Sequence, residues 1–172
     1  NARGNRDQGS QLTLNGSYSA FGFERGGKLS LEANGFQIGE AASADARIFY
    51  IDPVFFTEGG FADFSLTANL LGLEIAPQTI IAPQQKNYSV REKQRLAAID
   101  SGSDIGSVLQ VQTLAEYSRN PANLHLKATR GVAQETGAGL TSLRIGSGAQ
   151  INADAGATID LISDGNIYID GV

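Results

Sequence analysis

TEGGFADFSLTA, residues 57–68, sets a glycine pair ahead of a short run in which apolar and polar side chains alternate. A phosphate-cradling loop opens a helix and carries Lys and Ser or Thr at a fixed offset from its glycines. Here Gly59 and Gly60 are followed by Phe61, Ala62 and Asp63. Phe64, Leu66 and Ala68 then fall on one side of an extended chain, with Ser65 and Thr67 on the other, the alternation of a half-buried strand. The stretch reads as a turn and a strand.

The same seven-residue pattern returns along the chain. It reads KLSLEAN at 28–34, DFSLTAN at 63–69, NLHLKAT at 123–129 and TIDLISD at 158–164, with starts 35, 60 and 35 residues apart. In each copy the second and fourth positions are large and apolar, the sixth is small, and the last is Asn, Thr or Asp, residues that suit a turn. Alternation places Leu29, Leu31 and Ala33 inward, then Phe64, Leu66 and Ala68, then Leu124, Leu126 and Ala128, then Ile159, Leu161 and Ser163. Gly26 and Gly27, Gly59 and Gly60, and Gly156 precede three of the copies. Such units bury an apolar column only by stacking on one another.

The last quarter spaces Leu143, Ile151, Ile159 and Ile167 at intervals of 8, with Gly148, Gly156 and Gly165 between them. Close, even spacing with glycine turns marks a β-solenoid, a sandwich or a barrel. Asn15 with Gly16, Asn34 with Gly35 and Asp164 with Gly165 are hairpin dipeptides, which keeps the sandwich open. The chain is expected to be all-β over 1–172, a single solenoid segment. Residues 84–121 are an insertion packed on it, because the repeat interval lengthens there. Within that insertion VREKQRLAAID (90–100) has helical composition and SGSDIGS (101–107) reads as a loop.

Composition narrows the function classes. The chain has 172 residues, 41% of them hydrophobic, enough for one sizeable core, and 21 glycines against 4 prolines favour many tight turns. A net charge of -5 gives no electrostatic footprint for nucleic acid. Lys86, Arg91, Lys93 and Arg95 cluster around Glu92 and read as a solvated loop. Without cysteine there is no disulfide framework or thiolate zinc site. No apolar run approaches the roughly 18 to 20 residues of a membrane span. No methionine is present, so the chain is expected to be an internal or processed segment of a longer protein.

Side chains for chemistry are few. His125, the only histidine, alternates outward beside Lys127 and reads as a surface residue. A catalytic role would need Ser and Asp partners from neighbouring coils. Asp63 and Asp160, with Asp52 and Glu58 nearby in sequence, are the carboxylates from which a glycosidic acid and base pair could be drawn. Asp154, Asp160, Asp164 and Asp170 punctuate the C-terminal turns, where calcium would need six to eight converging oxygens. The calcium nonapeptide repeat is absent, and these aspartates read as turn residues. Phe49, Tyr50, Phe55, Phe56 and Phe61 flank Asp52 and Pro53. Buried, this group fills the core or covers a coil edge; exposed, it is a candidate partner-binding patch.

Taken together, DPVFFTEGGFADFSLTA (52–68), LEIAPQTIIAPQ (73–84), SRNPANLHLKAT (118–129) and GSGAQINADAGATIDLISDGNIYIDG (146–171) resemble the filamentous haemagglutinin-like, two-partner-secreted exoproteins of Gram-negative bacteria. The likeness is to the recurring module of their C-terminal portion. It implies a right-handed parallel β-helix, export through a dedicated outer-membrane partner transporter, and a secreted or cell-surface location. It also implies adhesion or contact-dependent competition, with a glycan or protein on a host or neighbouring cell as partner. Neither an enzyme nor a cofactor or metal is expected on this reading. The alternative is a β-helical, polysaccharide-acting enzyme using outward carboxylates.

Overall fold

The computed structural model describes residues 2–3, 12–39, 45–91, 102, 104–129 and 142–170. These are mostly β, with a large parallel sheet. The strands are β1 (Ala2–Arg3), β2 (Lys28–Ile38), β3 (Ile48–Ile51), β4 (Asp63–Ile75), β5 (Ile80–Ile81) and β6 (Asn87–Val90). They continue with β7 (Leu109–Gln112), β8 (Asn123–Ala128), β9 (Leu143–Ile145), β10 (Gln150–Ile151), β11 (Ile159–Ser163) and β12 (Ile167–Ile169). Short helices span Phe55–Glu58 and Ile105–Val108, and a 3-10 turn spans Glu116–Ser118.

The sequence repeat is the sheet register. β2, β4, β8 and β11 lie side by side and parallel, so that Leu31 pairs with Leu66, Leu66 with Leu126, and Leu126 with Leu161. Leu29, Phe64, Leu124 and Ile159 form the next column, and Ala33, Ala68, Ala128 and Ser163 the one after. Backbone bonds carry the layers on at their corners, Ala62 N–H donating to Gly27 O (2.8 Å) and Asn123 N–H to Ala62 O (3.0 Å). The two columns of large residues are followed by one of small residues, just before the register shift between Ala33 and Gly35.

After the repeated strand the chain bends onto a second ladder. The register shifts between Ala33 and Gly35, then resumes as Gly35 with Gly72 and Ile38 with Ile75. β9 and β12 extend this ladder, pairing Ile75 with Ile145 and Ile145 with Ile169. β5 and β10 form a third, with Ile81 opposite Ile151. The interval of 8 now has a physical reading. Leu143, Ile151 and Ile159 sit on three different ladders, and Ile167 returns to lie beside Leu143. The hairpin dipeptides do not build a sandwich. Among the described ladders only β6 with β7 is antiparallel, and Asn34 and Gly35 lie inside β2 at its bend.

The glycine pairs are corners pressed together. A Cβ on Gly26 would come within 1.7 Å of the Gly60 carbonyl oxygen, and Gly60 itself has a φ of +68°. Neither position accepts a side chain without moving backbone. Leu31, Phe36, Ile38, Phe64, Leu66, Ile75, Leu124, Leu126 and Leu143 are all buried in one apolar cluster.

The insertion expected at 84–121 carries the β6 and β7 hairpin, and a buried amide ties its base. Gln85 accepts from Gly26 N–H (2.8 Å) through Oε1, while its Nε2 donates to the carbonyls of Asn120 (2.8 Å) and Pro121 (3.1 Å). One side chain thus joins both ends of the insertion to the glycine corner. The helix expected at 90–100 lies outside the described residues from 92 onward. Part of the expected loop at 101–107 is instead helical, because Asp104 caps Ile105–Val108 by accepting from Gly106 N–H (3.1 Å).

The last layer differs from the inner ones. Ile159, expected inward, is 40% exposed, and Ile169 is 65% exposed, although both occupy columns that are buried in the preceding layers. Among the described residues nothing pairs with the outer edges of β11 and β12. No described helix is long and apolar enough to cross a membrane.

Candidate functional site

The aromatic group at 49–61 is divided by the local backbone. β3 ends at Ile51, and the next residue, Asp52, accepts from Val54 N–H through Oδ1 (2.9 Å) as the chain turns into Phe55–Glu58. Successive residues on a helix point about 100° apart. Phe56 is consequently buried, its ring 5.1 Å from that of Phe64, while Phe55 remains half-buried. Phe61 is also buried, 5.7 Å from Phe64. The patch expected of five residues therefore loses Phe56 and Phe61, which pack against Phe64 in the core.

Phe49, Tyr50 and Phe55 remain at the surface and meet a part of the chain that carries no repeat. Together with Leu14, Gly16, Tyr18, Ile51 and Asp52 they line a cleft of about 200 Å3. A second cleft of about 420 Å3 adjoins it, sharing Gly16, Tyr18 and Phe55 and adding Phe21 and Glu58. The rings are held from behind. Phe49 packs edge-on against Phe36 at 5.9 Å, and Phe55 against Phe56 and Phe64. Tyr50 Oη donates to Gly39 O (2.7 Å) and Tyr18 Oη to Asn15 O (3.2 Å). Tyr18 is the residue that sequence reasoning missed, since no periodicity links 12–21 to 48–55.

The polar residues singled out by sequence are paired rather than convergent. His125 is half-buried and bridges layers, its Nδ1 2.7 Å from Asp160 Oδ2 and its Nε2 3.4 Å from Asp63 Oδ2. This corrects its reading as a plain surface histidine. Register sets Ser65, His125 and Asp160 side by side, yet both ring nitrogens face carboxylates. A general base needs one nitrogen directed at the proton it removes. Asp63 is also 3.2 Å from Lys28 Nζ.

Asp52 and Glu58 line the two adjoining clefts, and Glu58 is bridged by Lys86. The C-terminal aspartates are likewise each engaged. Asp154 takes a two-pronged bond from Arg119, Asp170 Oδ2 accepts from both Nε (2.9 Å) and Nη2 (2.7 Å) of Arg144, and Asp160 holds His125. Hydrogen bonding to Asp154 raises the Arg119 pKa above its ordinary value, against the smaller opposing effect of burial. The bond to Asp170 does the same for Arg144. No three metal-ligating side chains among the described residues converge on one point. No family model, curated protein or solved structure matches the chain.

Proposed function

We propose that the chain is a structural and adhesive segment of a long secreted bacterial exoprotein of the filamentous haemagglutinin-like kind, folded as a right-handed parallel β-helix. The observation that carries the reading is the in-register recurrence of Leu31, Leu66, Leu126 and Leu161 across intervening stretches of unequal length. Such a stack derives stiffness from backbone ladders and an apolar column, without disulfides. Its last layer presents Ile159, Ile167 and Ile169, the surface on which another layer of the same register would pack.

In this reading the parent chain leaves the cell through an outer-membrane partner transporter. The cleft around Phe49, Tyr50 and Phe55 faces a glycan or protein on a host or neighbouring cell. The pairing of His125 with both Asp63 and Asp160 supports a polar brace across layers in place of a polysaccharide-cleaving centre.

The test is retention of the purified chain on a glycan array and on host or neighbouring cells, with release of reducing ends measured from the same glycans. Retention without turnover is expected. Turnover would establish the enzyme reading instead, and no retention on either surface would remove the adhesive part of the proposal.

A further inference from the structure

The smaller cleft is unusual in what it offers a ligand. Among the described residues that line it, four are aromatic, Tyr18, Phe49, Tyr50 and Phe55, and one is charged, Asp52. No basic side chain among the described residues lines it, and the whole chain is net negative. The hydroxyls of Tyr18 and Tyr50 already donate to backbone carbonyls of the protein itself. Asp52 spends one oxygen on Val54 N–H, which leaves Oδ2 as the charged acceptor.

A sugar ring would need several hydrogen-bonding partners placed around it, because each hydroxyl stripped of water and left unpaired costs binding energy. The side chains here supply little beyond one carboxylate. A quaternary ammonium carries positive charge on a surface of methyl groups and needs no hydrogen bond at all. Aromatic rings attract it through their negative faces, and a nearby carboxylate complements its charge. The volume of about 200 Å3 accommodates a trimethylammonium group.

The rings are also fixed in advance. Phe36 backs Phe49, Phe56 and Phe64 back Phe55, and the two tyrosines are tethered through their hydroxyls. Pre-ordered walls spare a ligand the entropy of arranging them. We infer that the cleft formed by Tyr18, Phe49, Tyr50, Phe55 and Asp52 binds a trimethylammonium group. The inference rests on the adhesive reading of the same surface and narrows it: the cell-surface partner is recognised through a trimethylammonium group that it carries, not through a bare sugar ring.

The test titrates choline chloride and its uncharged isostere 3,3-dimethylbutan-1-ol into the chain, followed by amide NMR shifts at 49–55 and by tyrosine fluorescence. Choline is expected to bind about tenfold or more tightly than the isostere, the discrimination that a cation over aromatic faces provides. Tyr18→Leu and Asp52→Asn, both at the surface, are expected to erase most of that preference while leaving the remaining amide spectrum folded. Equal binding of choline and isostere, binding of methyl glucoside in place of choline, or no binding of any of the three overturns the inference.

Vesicles of dioleoylphosphatidylcholine separate the sources of the group. Retention on them points to a lipid headgroup, and choline binding without retention to a soluble ammonium; each supports the cleft chemistry. Failure of choline with retention on cells or glycans would sink this inference alone and leave the adhesive reading standing.

Discussion

Replacing Leu126 by aspartate is expected to leave the chain unfolded at 25 °C. Leu126 is fully buried between Leu66 and Leu161 at the centre of the apolar column. Truncation to alanine at such a site costs about 2 to 5 kcal/mol through lost transfer energy and the cavity left behind. A carboxylate in the same place adds the cost of burying an unpaired charge, and a domain of this size has only about 5 to 15 kcal/mol in total. Ile159→Asp is the control, because Ile159 ends the neighbouring inward column, in register with the fully buried Phe64 and Leu124, yet in the last layer is 40% exposed. It is expected to leave a folded protein. Circular dichroism and urea denaturation of the two variants read the difference directly. Equal damage from both would mean that the last layer is packed as the inner ones are.

Arg119→Ala is expected to cost up to about 3 kcal/mol, below the loss for a fully buried pair because Arg119 and Asp154 are part-buried, but well above that for an exposed one. Arg119 and Asp154 have side chains only 9% and 8% exposed, and the guanidinium meets the carboxylate with two bonds while a third goes to Leu114 O (2.9 Å). The pair joins the end of the insertion to the turn between β10 and β11, 35 residues away. Arg144 with Asp170 is the contrast, since its partners are 55% and 41% exposed. Water screens an exposed pair and its long side chains lose rotamer freedom to hold it, so Arg144→Ala is expected to leave the urea midpoint nearly unchanged. Urea midpoints of the two variants test the ordering, and a larger loss from Arg144→Ala would contradict it.

The ladders were legible because the side chains that define them repeat. Large residues at the second and fourth positions and a small one at the sixth name the register partners of β2, β4, β8 and β11 without any structure. The interval of 8 was visible too, but its meaning was not. Nothing in Leu143, Ile151 and Ile159 says that they occupy three ladders, since that depends on turns whose direction is set by long-range pairing.

The candidate site was half legible. Aromatic content marked 49–61, yet whether a ring faces in or out there depends on the short helix that Asp52 initiates, and this separates Phe55 from Phe56. Tyr18 was invisible because its contribution arises from tertiary placement, as was the bond between Arg119 and Asp154. His125 was read correctly as outward. Its two carboxylate partners come from neighbouring layers, and so follow only once the register is known.

The in-register stacking of layers across the inserted stretch is tested most directly by engineered disulfides, which are unambiguous in a chain with no cysteine of its own. Thr67 and Lys127 are register partners on β4 and β8, separated in sequence by 60 residues. Paired strands place such residues about 4.8 Å apart, within the span a disulfide bridges, whereas a partner two positions along lies beyond about 7 Å. Under mild oxidation Thr67→Cys with Lys127→Cys should couple nearly completely, and Ser65→Cys with Lys127→Cys should not. Coupling of the offset pair with none in the aligned pair would contradict the stack.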